Sequence, residues 1–74
     1  MEKIYKKINI IGCGFVGLTT GLGLATKGFN INFIDIDQSK INDLKKGKIN
    51  FYENGLKELL NKINKSKINF TSNY

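Results

Sequence analysis

Lys7-Ile8-Asn9-Ile10-Ile11-Gly12-Cys13-Gly14-Phe15-Val16-Gly17 is the stretch whose reading decides the fold. A short β-prone run ends at a glycine, and three glycines then follow the spacing G-x-G-x-x-G. Beyond Phe15 the periodicity changes. Leu18, Leu22 and Ala25 recur at helical intervals, and Gly28 offers a C-terminal stop. The reading is a strand over Lys7 to Ile11, a bend without side chains, and a helix over Phe15 to Lys27.

The alternation continues downstream. Asn30 to Ile36 is a second β-rich run. Ser39 is expected to cap a short helix that carries Ile41 and Leu44 on one face and ends at Gly47. Ile49 to Asn54 reads as a connection. Gly55 to Ile63 sets Leu56, Leu59, Leu60 and Ile63 in an amphipathic stripe, and Ile68 to Thr71 is a third strand. The order β-α-β-α-α-β predicts an α/β fold with a parallel sheet and right-handed crossovers.

Ile-Asn-Ile/Phe recurs at 8–10, 31–33, 49–51 and 68–70, at unequal spacings that biased composition explains better than a true repeat. The alternation places Ile8, Ile10, Ile31, Phe33, Ile68 and Phe70 on one face of the sheet. Asn9, Asn32 and Asn69 fall on the other, with Ile11 and Ile34. Strands covered on both faces read as continuous apolar runs. These do not, so the second face is expected to be partly wet or lined by an amide network.

The glycine pattern alone is a weak signal. It gains weight here because it follows a strand, opens a helix, and is paired with Asp35 at the end of the next strand, 18 residues after Gly17. This is the fingerprint of a dinucleotide-binding Rossmann turn. Gly12 permits the tight turn, Gly14 lets the backbone approach a diphosphate, and Gly17 lets the helix pack against the sheet. Phe15 and Val16 stand where main-chain N–H groups and the helix dipole face an anion. Asp35 is suited to accept from the adenosine ribose hydroxyls and to repel a 2′-phosphate, which favours NAD over NADP. Lys40, five residues on, reaches the same ribose and softens that preference. Gly21 is expected to allow close packing of the helix, and Gly23 has no assigned reason.

Composition narrows the rest. The chain has 74 residues, 12 basic against 6 acidic ones, a net charge of +6, one Cys and no His. All the positive charges are Lys, so bidentate Arg recognition of phosphate is unavailable. The Lys are spread along the chain without interleaved stacking aromatics, which reads as a solvated surface rather than a nucleic-acid interface. A single Cys and no His leave no disulfide framework and no zinc site. The uncharged stretch Ile8 to Thr26 is too rich in Gly, Asn and Thr to span a membrane. No membrane partner, a cytoplasmic setting and a free Cys13 thiol are expected. Cys13 lies near a helix start that lowers a thiol pKa, yet no base is near it in sequence, so it is expected to be a loop filler. No catalytic residue is assigned.

Several blocks together resemble the opening of the UDP-glucose/GDP-mannose dehydrogenases. They are Ile10 to Gly21, Asp35-Ile36-Asp37 with Lys40-Ile41, Gly47 to Leu60, and the closing Phe70-Thr71-Ser72-Asn73-Tyr74. Tyr52-Glu53-Asn54-Gly55-Leu56 is more specific than the glycine turn and separates this family from other Rossmann oxidoreductases. The family usually has Pro where this chain has Asn54, which is expected to cap the third helix instead. Asn9 and Asn32 also depart from the small or apolar residues usual at those strand positions.

The resemblance implies NAD as cofactor. It implies a parent reaction in which the C6 hydroxyl of a nucleotide sugar is oxidised to a carboxylate with two NAD, in the service of polysaccharide biosynthesis. The aldehyde stage is held on a cysteine that Cys13 does not match. Residues 1–74 would be the first β-α-β-α-β half of the NAD-binding domain, with its second half, a linker helix and a nucleotide-sugar domain beyond Tyr74. The nucleotide sugar would be met only through those parts, and this chain alone would be inactive. A homodimer through the bare sheet face or the open edge of the first strand is a further expectation. A fragment of another Rossmann dehydrogenase and a free-standing nucleotide-binding or interaction module are the alternative readings.

Overall fold

A computed structural model describes residues 7–49, 54–63 and 65–73. Strand β1 (Lys7–Ile11) leads through the glycine bend into helix α1 (Phe15–Thr26). Strand β2 (Asn30–Ile34), helix α2 (Gln38–Lys45), helix α3 (Asn54–Lys62), a 3-10 turn at Lys65–Lys67 and strand β3 (Ile68–Thr71) follow. The three strands are parallel in the order β1-β2-β3. The β-α-β-α-α-β order read from the sequence stands, and among the described residues the 3-10 turn is the one element added to it.

Glycines end both of the first two helices. Gly28 (φ +100°) donates to the Ala25 carbonyl while Phe29 N donates to Leu24 O. Gly47 (φ +79°) donates to Leu44 O while Lys48 N donates to Asp43 O. Each pair of bonds is a Schellman closure, whose left-handed residue a glycine adopts without a Cβ clash. Helix α1 therefore stops at Thr26, with Lys27 as its cap rather than its last turn.

Strand β2 stops at Ile34, two residues short of the expected Ile36. Asp35 N still donates to Thr71 O at 3.1 Å, but the Asp35 side chain then accepts from Asp37 N and turns the backbone out of the sheet. Asp37, not Ser39, caps α2. Its Oδ1 accepts from Ser39 N at 3.0 Å, Lys40 N at 3.2 Å and the Ser39 hydroxyl at 2.9 Å. A carboxylate bonds the helix-start amides more strongly than a hydroxyl does and complements the dipole. Asn54 is the first residue of α3, but its capping role lies outside the described side chains.

The helices cover one face of the sheet. Leu18, Leu22 and Ala25 of α1, Ile41 and Leu44 of α2, and Leu56, Leu60 and Ile63 at α3 join Ile31, Phe33 and Phe70 in one core. The Phe33 and Phe70 rings stack at 5.0 Å between centroids, worth about 0.5–1.5 kcal/mol beyond their burial. A Cβ added to Gly21 would lie 2.4 Å from the Phe33 ring, so the bare backbone of α1 rests on that ring. A Cβ at Gly23 would meet nothing.

On the opposite face the register lines up Asn9, Asn32 and Asn69. Their amides form a directed chain: Asn69 Nδ2 donates to Asn32 Oδ1 at 2.6 Å, and Asn32 Nδ2 to Asn9 Oδ1 at 3.2 Å. Each such cross-strand pair contributes roughly 0.2–1 kcal/mol. Ile11 is 66% exposed, as the bare face requires, but Ile34 is only 5% exposed. Ile34 sits on the central strand, flanked in register by Ile11 and Thr71.

Candidate dinucleotide-binding site

The bend between β1 and α1 is built by three glycines with three different roles. Gly12 has φ +95°, a conformation that a Cβ strains, and its N–H continues the parallel ladder to Ile34 O at 2.7 Å. Gly14 is extended and stands at the N-cap of α1. No protein atom lies within 4 Å of a Cβ built there, so the space beside the helix start is open. Gly17 is the opposite case. A Cβ on it would lie 2.1 Å from the Gly12 carbonyl oxygen and 3.3 Å from Ile10. The first turn of α1 thus sits directly on the end of β1, and only a glycine allows that approach.

The first helical bond is donated by Leu18 N to Gly14 O at 2.9 Å. The N–H groups of Val16 and Gly17 precede it and have no acceptor inside the helix. They point out of the helix start at the positive end of its dipole, beside the open space at Gly14. Among the residues singled out from the sequence, Phe15 and Val16 open α1 with exposed side chains.

Asp35 faces this bend from the neighbouring strand. Its Oδ2 accepts from Cys13 N at 2.9 Å, its Oδ1 accepts from Asp37 N at 2.9 Å, and Lys40 Nζ lies 3.7 Å from Oδ2. The two main-chain donors, led by Cys13, hold its pKa below the ordinary 3.8, with Lys40 adding to the effect. The carboxylate is ionised and oriented, with lone pairs to spare for further donors. Gly12, Gly14, Phe15, Val16, Gly17, Asp35 and Lys40 are therefore gathered at one end of the sheet, past the C-terminal ends of β1 and β2.

Cys13 is a packing residue. It is fully buried, and burial followed by the nearby Asp35 charge pushes its thiol up to about 11, against the lowering that a helix start alone would give. The recess beside it, lined by Leu18, Lys40, Leu44 and Ile49 among others, has a volume of about 10 Å³, room for no more than a water.

Sequence reasoning missed two parts of this arrangement: the Cys13 N–H as the donor that fixes Asp35, and Asp37 as the residue that holds both Asp35 and the start of α2. The second was legible in principle, since Asp is a preferred cap just before an apolar-periodic run. Tyr52 and Glu53 lie outside the described residues. Among the described residues no three metal-ligating side chains gather, and no helix is long and apolar enough to cross a membrane.

A parallel sheet with a glycine-built strand-to-helix bend and an acid at the end of the next strand defines the class: a dinucleotide-binding Rossmann half. Residues 6–74 match the model of the UDP-glucose/GDP-mannose dehydrogenase family, NAD binding domain. The chain belongs to that family, whose domain carries NAD. It is 45% identical over 67 residues to an uncharacterized protein of Methanocaldococcus jannaschii, covering 90% of this chain and 8% of that protein. It is 41% identical over 68 residues to the UDP-glucose 6-dehydrogenase YwqF of Bacillus subtilis, covering 90% of this chain and 16% of the relative. The solved UDP-glucose dehydrogenase of the hyperthermophilic archaeon Pyrobaculum islandicum superposes with a TM-score of 0.86 at 27% identity, covering 95% of this chain and 16% of that one. The chain thus spans less than a fifth of the length of these proteins.

Proposed function

We propose that this chain is the adenosine-side cradle for NAD in a nucleotide-sugar 6-dehydrogenase, the first half of its NAD-binding domain. Gly12 and Gly14 bring backbone to the diphosphate, Phe15, Val16 and Gly17 present main-chain N–H groups to it, and Gly17 seats the helix on the strand. Asp35 accepts from the ribose hydroxyls, and Lys40 flanks it. The parent reaction is oxidation of a sugar C6 hydroxyl to a carboxylate by two NAD, supplying polysaccharide biosynthesis. The nucleotide sugar and the reacting groups belong to parts of the parent outside these residues, so the chain by itself binds and does not turn over. The buried Cys13 thiol suits a reducing, cytoplasmic setting, and a second copy of the chain is its expected protein partner.

One observation carries this reading: the Asp35 carboxylate is bonded to the glycine bend through Cys13 N at 2.9 Å. That bond ties the acid to the bend at one end of the sheet, which supports a diphosphate at the glycines and a ribose at Asp35. The experiment is calorimetric titration of the chain with NAD and with AMP. Binding is expected to be weak and similar for the two, because the adenosine end supplies most of the contacts. Tight NAD binding with no AMP binding overturns the assignment.

A further inference from the structure

The main chain of Asp35 is anchored in the sheet, since its N–H donates to Thr71 O at 3.1 Å. What is left to fix is the carboxylate. Ionised, it offers about four lone-pair sites on two oxygens. Oδ2 takes Cys13 N at 2.9 Å and faces Lys40 Nζ at 3.7 Å. Oδ1 takes Asp37 N at 2.9 Å, so the site to spare lies on the oxygen that Asp37 holds. Asp37 is itself held by its own side chain. Its Oδ1 accepts from Ser39 N at 3.0 Å, the Ser39 hydroxyl at 2.9 Å and Lys40 N at 3.2 Å. These contacts close a ring. Asp37 N bonds Asp35, Asp37 Oδ1 bonds the Lys40 main chain, and the Lys40 ammonium returns to Asp35. A second hold acts one residue on, where the Ser72 hydroxyl donates to Gln38 Oε1 at 2.5 Å and ties the first turn of α2 to the end of β3.

We propose that Asp37 is a positioning residue for ribose recognition, which makes the site selective for a ribonucleotide over its 2′-deoxy counterpart. The proposal rests on the reading of Asp35 as the ribose acceptor. The cap that Asp37 places on α2 sets the direction of its own N–H. That N–H in turn aims the free lone pair of Asp35 Oδ1 at a ribose hydroxyl. Without the cap the charge on Asp35 stays, but its direction is lost, and a hydrogen bond weakens steeply off line. The loss therefore falls on the ribose and spares the phosphate contacts at the glycine bend. A cap that only stabilised the helix would act differently. It would change the folded population and so weaken every ligand alike.

NMR titration of the 74-residue chain with AMP and with 2′-deoxy-AMP tests this. The unmutated chain is expected to prefer AMP roughly tenfold, the scale of one charge-assisted hydrogen bond. Asp37→Ala is expected to cut that preference to roughly threefold or less, since the bond is misaligned. Asp37→Asn, whose amide oxygen keeps the cap, is expected to restore it. Asp37→Gly also lacks the acceptor but costs a helix start little, so it gives the same reduced preference if circular dichroism shows Asp37→Ala unfolded. In an Asp35→Asn background Asp37→Ala is expected to change the preference no further, because it acts through Asp35. Gly21→Ala, which destabilises by packing against Phe33, is expected to keep the full preference. An unchanged preference in Asp37→Ala or Asp37→Gly, an Asp37→Asn no better than Asp37→Ala, or an effect that adds to that of Asp35→Asn overturns the proposal. Those results leave Asp35 as the ribose acceptor if the unmutated chain prefers AMP and Asp35→Asn does not. No preference in the unmutated chain overturns both.

Discussion

The main-chain N–H of Cys13 donates to Asp35 Oδ2 at 2.9 Å, across 22 residues of sequence. A residue in the glycine bend and a residue at the end of the neighbouring strand thereby fix each other. The bond orients the carboxylate before any nucleotide arrives, and it closes the bend without using the N–H groups that start α1.

Replacing Asp35 separates the two roles of this bond. In Asp35→Asn a carbonyl oxygen still accepts from Cys13, but the charge is gone and an NH2 group replaces one acceptor. The expected cost is about 1–2 kcal/mol of stability, since charge-assisted bonds are roughly twice as strong as neutral ones. AMP and NAD affinity are expected to fall at least tenfold together. Urea unfolding reads the first and calorimetry the second. Unchanged AMP affinity would remove Asp35 from the nucleotide site.

The glycines of α1 give a graded series. Gly17→Ala drives a Cβ to 2.1 Å from a backbone oxygen that cannot rotate away. Gly21→Ala meets the buried Phe33 ring at 2.4 Å. Both are expected to destabilise by about 1–3 kcal/mol, Gly17 the more, with Gly17→Ala also shifting the bend. Gly23→Ala enters open space in a helix interior and is expected to stabilise by about 0.5–1 kcal/mol. Thermal denaturation of the three variants should order them Gly17, Gly21, wild type, Gly23. A destabilised Gly23→Ala would contradict the packing described.

That series also shows what the sequence made legible and what it did not. Helix stops are legible because they rest on local chemistry, as with Gly28 and Gly47, whereas the cap of α2 is Asp37 and not the expected Ser39. The common face of Ile8, Ile31 and Ile68 was visible because alternation has a period of two and the strands align in register. The amide chain through Asn9, Asn32 and Asn69 followed from the same alternation. The end of β2 was misplaced because it depends on where a side chain turns: Asp35 bonds the bend and Asp37 N instead of leaving the strand to run on. The burial of Ile34 is set by its tertiary surroundings, which the alternation along a single strand does not report. For Cys13 the sequence shows the helix start that lowers a thiol pKa and the lack of a neighbouring base, but not the burial that raises it.

Acid should reach the site through Asp35 and Asp37. Both carboxyls are held below their ordinary 3.8, Asp35 first by Cys13 N and Asp37 first by the Ser39 hydroxyl. Protonation is then harder in the folded chain than in the unfolded one. The stability they add is present in full above 3.8 and is lost as pH falls through the lower folded values. Stability measured by urea unfolding is expected to drop below about pH 4, and Asp37→Asn is expected to flatten that decline. An equally steep acid limb in Asp35→Asn/Asp37→Asn would assign it to other groups.

Cys13 governs the alkaline side. Its thiol is raised from 9.0 to about 11 in the folded chain, by burial first and then by Asp35, with Lys40 opposing. The folded state holds its proton more tightly than the unfolded state does. The stabilisation is complete below pH 9 and declines as pH rises from 9 towards 11. Two measurements follow from this. Chemical denaturation between pH 8 and 11 is expected to show stability falling through that window, and Cys13→Ala is expected to lose that slope. At pH 8 an aromatic disulfide reagent is expected to label Cys13 far more slowly than a free thiol, because the side chain is wholly buried and the thiolate fraction is small. Labelling should then track opening of the fold and accelerate with urea. If nucleotide binds across the bend that Cys13 helps to close, AMP is expected to slow labelling further, in proportion to its occupancy. Rapid labelling at neutral pH that AMP leaves unchanged would place the thiol outside the core and detach it from the bend.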